Sequence, residues 1–255
     1  MEWLPQDIAQ TRDWGPFLQG VEIVVNLAWY RWESAETFRR LADSLVQLVE
    51  ASERAGIRRF IQVSVPAAPP SLETDLPYLA EKRRVDGTLA SSRLSFRILR
   101  PTMLFGPGDV LLGEMVRLMH RYRVFPMFGD GSYHVSPVAV ADLAEIVRRE
   151  CAGTDSGTID IGGPERFEYR ALTDRMFMAL GRRPRYWTMS PAGALRLTRL
   201  MVRLGSTLLY PYEVEWLVSD RLGLPSYGGL DRPMIAVGPY LDEIARLGRA
   251  AASPA

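Results

Sequence analysis

The chain has 255 residues, 47% of them hydrophobic and 24% charged, which suits a soluble globular protein with one large core or two smaller ones. A formal net charge of +1 argues against a single-sign field of the kind that captures nucleic acid. One cysteine, Cys151, excludes an internal disulfide and a thiolate zinc site, and with only His120 and His134 no metal centre is expected.

The opening Met1–Pro5 stretch lacks the basic and apolar regions of a signal peptide, and no window is long and apolar enough to span a bilayer, so the expected location is cytoplasmic. Residues 21–28, Val-Glu-Ile-Val-Val-Asn-Leu-Ala, are β-branched and follow Gly20, predicting a buried strand. Ser34 is placed to cap a helix running to about Ala55, with Phe38, Leu41, Leu45, Leu48 and Val49 on one face and Gly56 as its stop. A second strand, Arg59 to Ser64, gives way to a loop at Pro66 and the Pro69-Pro70 pair. A helix over about Leu79–Ala90 and a strand over Leu94–Leu99 follow, closed by Arg100-Pro101. Strand and helix alternating with short connections imply an α/β fold with a parallel sheet.

Beyond Pro101 the pattern changes. A turn holding Gly106 and Gly108 leads to an amphipathic helix near Val110–Tyr122, then to a Gly129-Asp130-Gly131 turn, a helix near Val138–Arg149 and a strand around Thr158–Ile161. From Gly162 onward helices and loops dominate. Over residues 194–209, Arg196, Arg199 and Arg203 share one stripe among leucines, which fits either a helix packed on a second lobe or one lying on a membrane surface or partner subunit.

Of 31 basic residues only Lys82 is lysine. An ammonium is a compact point charge whereas guanidinium is a planar fork, so the sole lysine is a candidate for work that needs the former. Tyr78 lies four residues earlier, which on a helix stacks the two side chains on one face. A neighbouring ammonium stabilises a phenolate and makes the phenol a usable acid/base near neutral pH. Ser64, at the carboxyl end of a parallel strand, sits where open α/β sheets gather their ligands. Its hydroxyl is placed to hold a carbonyl or alcohol oxygen near Tyr78.

A strand ending in Ser64, a loop, Tyr78-x-x-x-Lys82 on a helix, and a strand ending in Arg100-Pro101 resemble the short-chain dehydrogenase/reductase superfamily. Asn26-Leu27-Ala28, the stretch Arg100 to Gly108, the stretch Ser136 to Ala144, and Gly162-Gly163-Pro164-Glu165 are similar to its extended and atypical, NAD-dependent epimerase/dehydratase-like branch. The short loop between Ser64 and Tyr78 looks more like the group related to the complex I accessory subunit than like sugar epimerases. The resemblance implies a Rossmann-like core over residues 1–163, with 106–133 contributing to a substrate lobe otherwise formed by 164–255. It implies Tyr78 as general acid/base, Lys82 as the residue that lowers its pKa and holds a nicotinamide ribose, and Ser64 as the group that orients the reacting oxygen. It further implies that Asp7, Ile8, Leu27, Ala28, Val63, Lys82, Pro101, Thr102 and Met103 line bound NAD or NADP.

One family element is not found. The family opens with a strand, a Gly-x-x-Gly-x-x-Gly turn and a helix that together grip a pyrophosphate. Here the first glycine is Gly15, and residues 3–8, Trp-Leu-Pro-Gln-Asp-Ile, resemble the end of the third strand. The expectation is a sheet lacking its first strands, with an exposed edge that a partner subunit, a second copy or residues upstream would cover. Two functions follow: an NAD(P)-dependent oxidoreductase or epimerase/dehydratase acting on a small alcohol or carbonyl, or a non-catalytic nucleotide-binding or scaffold subunit. Trp29-Tyr30-Arg31-Trp32 offers aromatic walls for an apolar substrate or ordinary loop packing. The choice between NAD and NADP rests on a residue at the end of the second strand, which this sequence does not contain.

Overall fold

The computed structural model describes residues 6–30, 34–68, 76–204 and 210–250, with residues 249 and 250 described by their backbone alone. Trp3, Leu4, Pro5, Arg31, Trp32, Pro69 and Pro70, all invoked above, lie outside the described residues, as do residues 205–209 of the arginine-striped segment. The chain forms two compact units, one of Met1–Arg100 with Val147–Ile159 and one of Pro101–Ile146 with Asp160–Ala255.

The first unit is built on β1 (Ile23–Asn26), α1 (Ala35–Arg54), β2 (Arg59–Val63), α2 (Pro77–Ser91) and β3 (Phe96–Pro101), with β8 (Gly157–Ile161) completing a sheet of order β1-β2-β3-β8. β1 pairs in parallel with β2, and β2 with β3, as strand–helix–strand connections require. The predicted cap is present: Ser34 accepts a hydrogen bond from the Thr37 amide at 3.2 Å. At the other end Gly56 takes φ 69°, the left-handed conformation that ends helices without a Cβ penalty. The five apolar residues expected on one face of α1 are all buried, and Leu41, Leu45 and Val49 join Val85 and Leu89 of α2 and Phe60 and Ile98 of the sheet in one core. Burying each such side chain contributes roughly 1.5–3 kcal/mol.

β1 is less buried than its β-branched run predicts, although an open sheet edge was expected. It is the edge strand of the described sheet, Val25 is 38% exposed, and Leu27 just beyond it is 66% exposed. A run of β-branched residues marks a strand but does not say how many neighbours that strand has.

β2 begins on a buried charge. Arg59 is fully buried; its guanidinium donates to the carbonyl oxygens of Glu150 (2.7 Å) and Asp155 (2.9 Å), to Ser95 Oγ (2.7 Å) and to the Glu150 carboxylate (3.1 Å). Arg97 donates to the same carboxylate at 2.7 Å. Burial pushes the Arg59 pKa down, and the Glu150 carboxylate opposes that shift.

The second unit carries three small two-stranded pairings. β4 (Leu104–Phe105) runs parallel to β7 (Val138–Ala139), β5 (Phe125–Phe128) parallel to β10 (Tyr186–Met189), and β6 (His134–Val135) antiparallel to β9 (Phe167–Glu168). Its helices are α3 (Leu111–Tyr122), α5 (Tyr169–Ala179), α6 (Pro191–Arg203), α7 (Pro211–Val218) and α8 (Val237–Ala250), while α4 (Val140–Ala152) spans the division in the chain. Leu112, Val116, Met119, Met127, Leu172, Met176, Phe177 and Leu241 form its core. Gly162 and Gly163 are required by crowding, because a Cβ on either would collide with the carbonyl oxygens of Leu224 and Pro225, or of Pro137. On α6 the described residues bury Ala194 and Thr198 and leave Leu200 and Leu204 exposed. Among the described residues no helix is long and apolar enough to cross a membrane.

Candidate functional site

α2 starts at Pro77, whose missing N–H costs nothing in the first helical turn. That start places Tyr78 in the first turn and Lys82 one turn later. Lys82 is 5% exposed. Its Nζ lies 4.4 Å from the centre of the Trp29 ring and 6.0 Å from that of Tyr78. Trp29 stacks on Phe38 (6.2 Å between ring centres), and both meet Tyr78 edge-on, at 6.0 and 5.7 Å. The amine thus sits under an aromatic cover whose π faces attract it. Burial lowers the Lys82 pKa to about 8, with the Asp86 carboxylate opposing and the Arg83 charge assisting that shift.

Ser64 follows β2 and is buried, its amide bonded to the Leu99 carbonyl at 2.7 Å. Its hydroxyl donates to Asp86 Oδ2 at 2.7 Å. Arg83 donates to that same oxygen at 2.9 Å, and Arg100 approaches it at 3.6 Å. Arg83 also holds the chain after Ser64 by donating to the carbonyls of Val65 and Pro66.

Sequence reasoning missed Asp86. Its signal was available: Tyr78, Lys82 and Asp86 follow at intervals of four, so they share one face of α2. Trp29 was seen as an aromatic wall, but its position over Lys82 depends on packing across the sheet.

Three buried polar atoms in this region lack hydrogen-bond partners: Trp29 Nε1, Asp86 Oδ1 and Arg100 Nε. Such atoms are uncommon in folded proteins and concentrate where a ligand or a movement satisfies them.

The residues assigned to the cofactor divide between the units. In the first, Asn26 donates to Gln62 Oε1 (2.8 Å) and accepts from the Ala28 amide (3.0 Å), which fixes the turn after β1 and leaves Leu27 facing outward. Asp7 and Ile8 open a short 3-10 helix instead of ending a strand, with Asp7 capping it through the Ala9 amide. Asp7 also accepts from Tyr30 Oη at 3.1 Å, joining this segment to the chain after β1. Val63 ends β2.

In the second unit Pro101 closes β3, Thr102 bonds to the carbonyls of Ile161 (3.1 Å) and Ser136, and Met103 enters that unit's core. The first unit's residues fit a nicotinamide group: a large apolar side chain is left open beyond the carboxyl end of β1, and an amine and a hydroxyl lie buried on the elements that follow. Trp29 constrains the fit, because its ring occupies one approach to Lys82 Nζ.

Residues 2–115 match a protein family described as NAD(P)H-binding. The chain is similar to the NADH dehydrogenase [ubiquinone] 1 alpha subcomplex subunit 9, mitochondrial, of Arabidopsis thaliana, 27% identical over 172 residues that cover 64% of this chain and 42% of the relative. It is also similar to the ceramide reductase of Caulobacter vibrioides, 26% identical over 200 residues covering 76% of this chain and 62% of the relative. The chain thus spans about half the length of these relatives. Among solved structures, the UDP-glucuronic acid 4-epimerase of Bacillus cereus in complex with UDP-glucuronic acid and NAD matches with TM-score 0.64 at 17% identity, over 96% of this chain and 81% of that one.

Proposed function

We propose that this chain is an oxidoreductase or epimerase/dehydratase-like protein acting on a small-molecule alcohol or carbonyl, a reading supported by the match of residues 2–115 to a family described as NAD(P)H-binding and by the likeness in fold to an NAD-bound epimerase. The single observation that carries the reading is the sole lysine, buried one turn from Tyr78 with its pKa lowered to about 8.

NAD(P), when bound, supplies the hydride acceptor or donor. Asp7, Ile8, Leu27, Ala28, Val63 and Lys82 would hold it from the first unit; Pro101, Thr102 and Met103 are the further residues that the family resemblance assigns to it. Tyr78 Oη takes the proton of a substrate hydroxyl or returns it to a carbonyl oxygen. The Lys82 ammonium stabilises the phenolate formed in the first case. The Ser64 hydroxyl donates to Asp86; turned toward a substrate, the same O–H donates to the reacting oxygen. The substrate's own O–H then faces Tyr78, which orients the alcohol for oxidation. The reading includes a cytoplasmic location and a second copy or partner subunit over the open edge of β1.

The test is titration of the purified chain with NADH and NADPH, followed by a hydride-transfer assay on a panel of alcohols and ketones. Binding of either cofactor together with turnover lost in Tyr78→Phe supports the enzyme.

One observation favours a second reading, a non-catalytic nucleotide-binding subunit like the complex I relative: the Trp29 ring covers the amine that would hold the ribose. Cofactor binding and stable assembly with a partner, with no turnover of any alcohol or ketone on the panel, would establish that reading instead.

A further inference from the structure

The second unit holds a cavity of about 1080 Å³ between the carboxyl-terminal half of α3 and α8, remote in sequence from Tyr78 and Lys82. Four arginines line it: Arg117, Arg121, Arg123 and Arg182. No carboxylate is among its described lining residues, and only Arg117 has a recorded acidic partner, Glu114 on its own helix at 3.0 Å. Apolar side chains share the lining with these charges. Val116 is buried, whereas Tyr122 and Leu247 are 60% and 55% exposed.

Two features mark the arginines as placed for a ligand. Arg123 occupies the left-handed position that ends α3, at φ 58°, where glycine would sit without strain. A bulky cation is kept at a position that disfavours any side chain. Arg182 is pinned from the other side, donating to the carbonyl oxygens of Met119 (3.0 Å) and His120 at the same helix end. Burial and the nearby Arg123 charge both push its pKa down. The Arg123 and Arg182 charges thus oppose one another, and a bound anion would relieve that repulsion.

We propose that this cavity binds the phosphate headgroup of an anionic phospholipid, with Arg121, Arg123 and Arg182 on the phosphate and Tyr122 and Leu247 against the first methylenes of the chains. Planar guanidinium groups suit a phosphate's oxygens, and exposed apolar groups beside them suit an amphiphile better than a free ion. The site is independent of hydride chemistry at Tyr78.

The full chain is sedimented with phosphatidylcholine vesicles that do or do not contain phosphatidylglycerol. The expected result is co-sedimentation only with the phosphatidylglycerol vesicles, weakening as salt is added. Arg121→Glu should lower the partition on the order of tenfold or more, taking each basic side chain near an anionic surface at its usual contribution. Leu247→Asp should lower it as well. Arg123→Gly should weaken binding while raising the melting temperature by about 2 °C, because it removes backbone strain; a folding defect would move both readouts down together. Absence of co-sedimentation, or wild-type partition in Arg121→Glu, overturns the proposal. So does inorganic phosphate binding as tightly as the vesicles with Leu247→Asp unchanged, which would make the cavity a site for a free anion.

Discussion

The two ends of β2 handle buried charge in opposite ways. At its start the Arg59 guanidinium is fully enclosed and bonded to two carbonyls, a hydroxyl and a carboxylate. Just past its finish, Lys82 is nearly as buried but is held by aromatic faces, and Asp86, Arg100 and Trp29 each leave a polar atom without a partner. A satisfied network specifies a fold and resists change, whereas an incompletely satisfied one keeps interaction energy available for a ligand. The difference separates a satisfied charge at the start of β2 from an incompletely satisfied cluster around the helix that follows it.

The sharpest way to break this comparison is to remove the phenol. Tyr78→Phe should reduce hydride transfer by about 10²–10⁴-fold while leaving NADH affinity within about twofold, measured by steady-state kinetics and fluorescence titration. Arg59→Ala should do the reverse. It takes the donor from the Glu150 and Asp155 carbonyls, leaves Arg97 alone on the Glu150 carboxylate, and costs about 3–5 kcal/mol of stability in urea unfolding, with activity per folded molecule unchanged.

Asp86→Asn tests the missed residue. The Asp86 charge raises the Lys82 pKa, so removing it should lower that pKa below about 8 and move the alkaline limb of the activity profile to lower pH. A profile that keeps its limbs while activity falls would make Asp86 a scaffold for Ser64 alone.

The smallest effect concerns stability. The folded Lys82 pKa, about 8, lies below the ordinary value of 10.5, so burying the charged amine costs stability that is fully felt below pH 8 and is relieved as pH rises toward 10.5. Lys82→Met should therefore be more stable than the parent at pH 7, by an amount on the order of 1–3 kcal/mol, with the gap closing by pH 10. A gap independent of pH would show that the amine is not desolvated in solution.

Much of the architecture was legible in the chain because it follows from local periodicity. The β-branched runs at 21–28 and 59–64, the apolar face of α1, its Ser34 cap and its Gly56 stop are near-neighbour effects, and each appears within a residue or two of its expected place. The pairing of Tyr78 with Lys82 is of the same kind, since helix pitch alone sets their spacing. The solitary lysine was conspicuous only because arginine fills every other basic position.

What tertiary structure decided is which partners those faces meet. That Ser64 donates to Asp86, that Trp29 roofs Lys82, that Arg59 is sealed inside and that β1 forms the described edge all depend on residues tens of positions apart. A repeat of two or 3.6 residues tells a side chain which way to point. The charge, ring or solvent it finds there is set by long-range packing, and in this protein that environment turns an ordinary lysine into an amine with a pKa near 8.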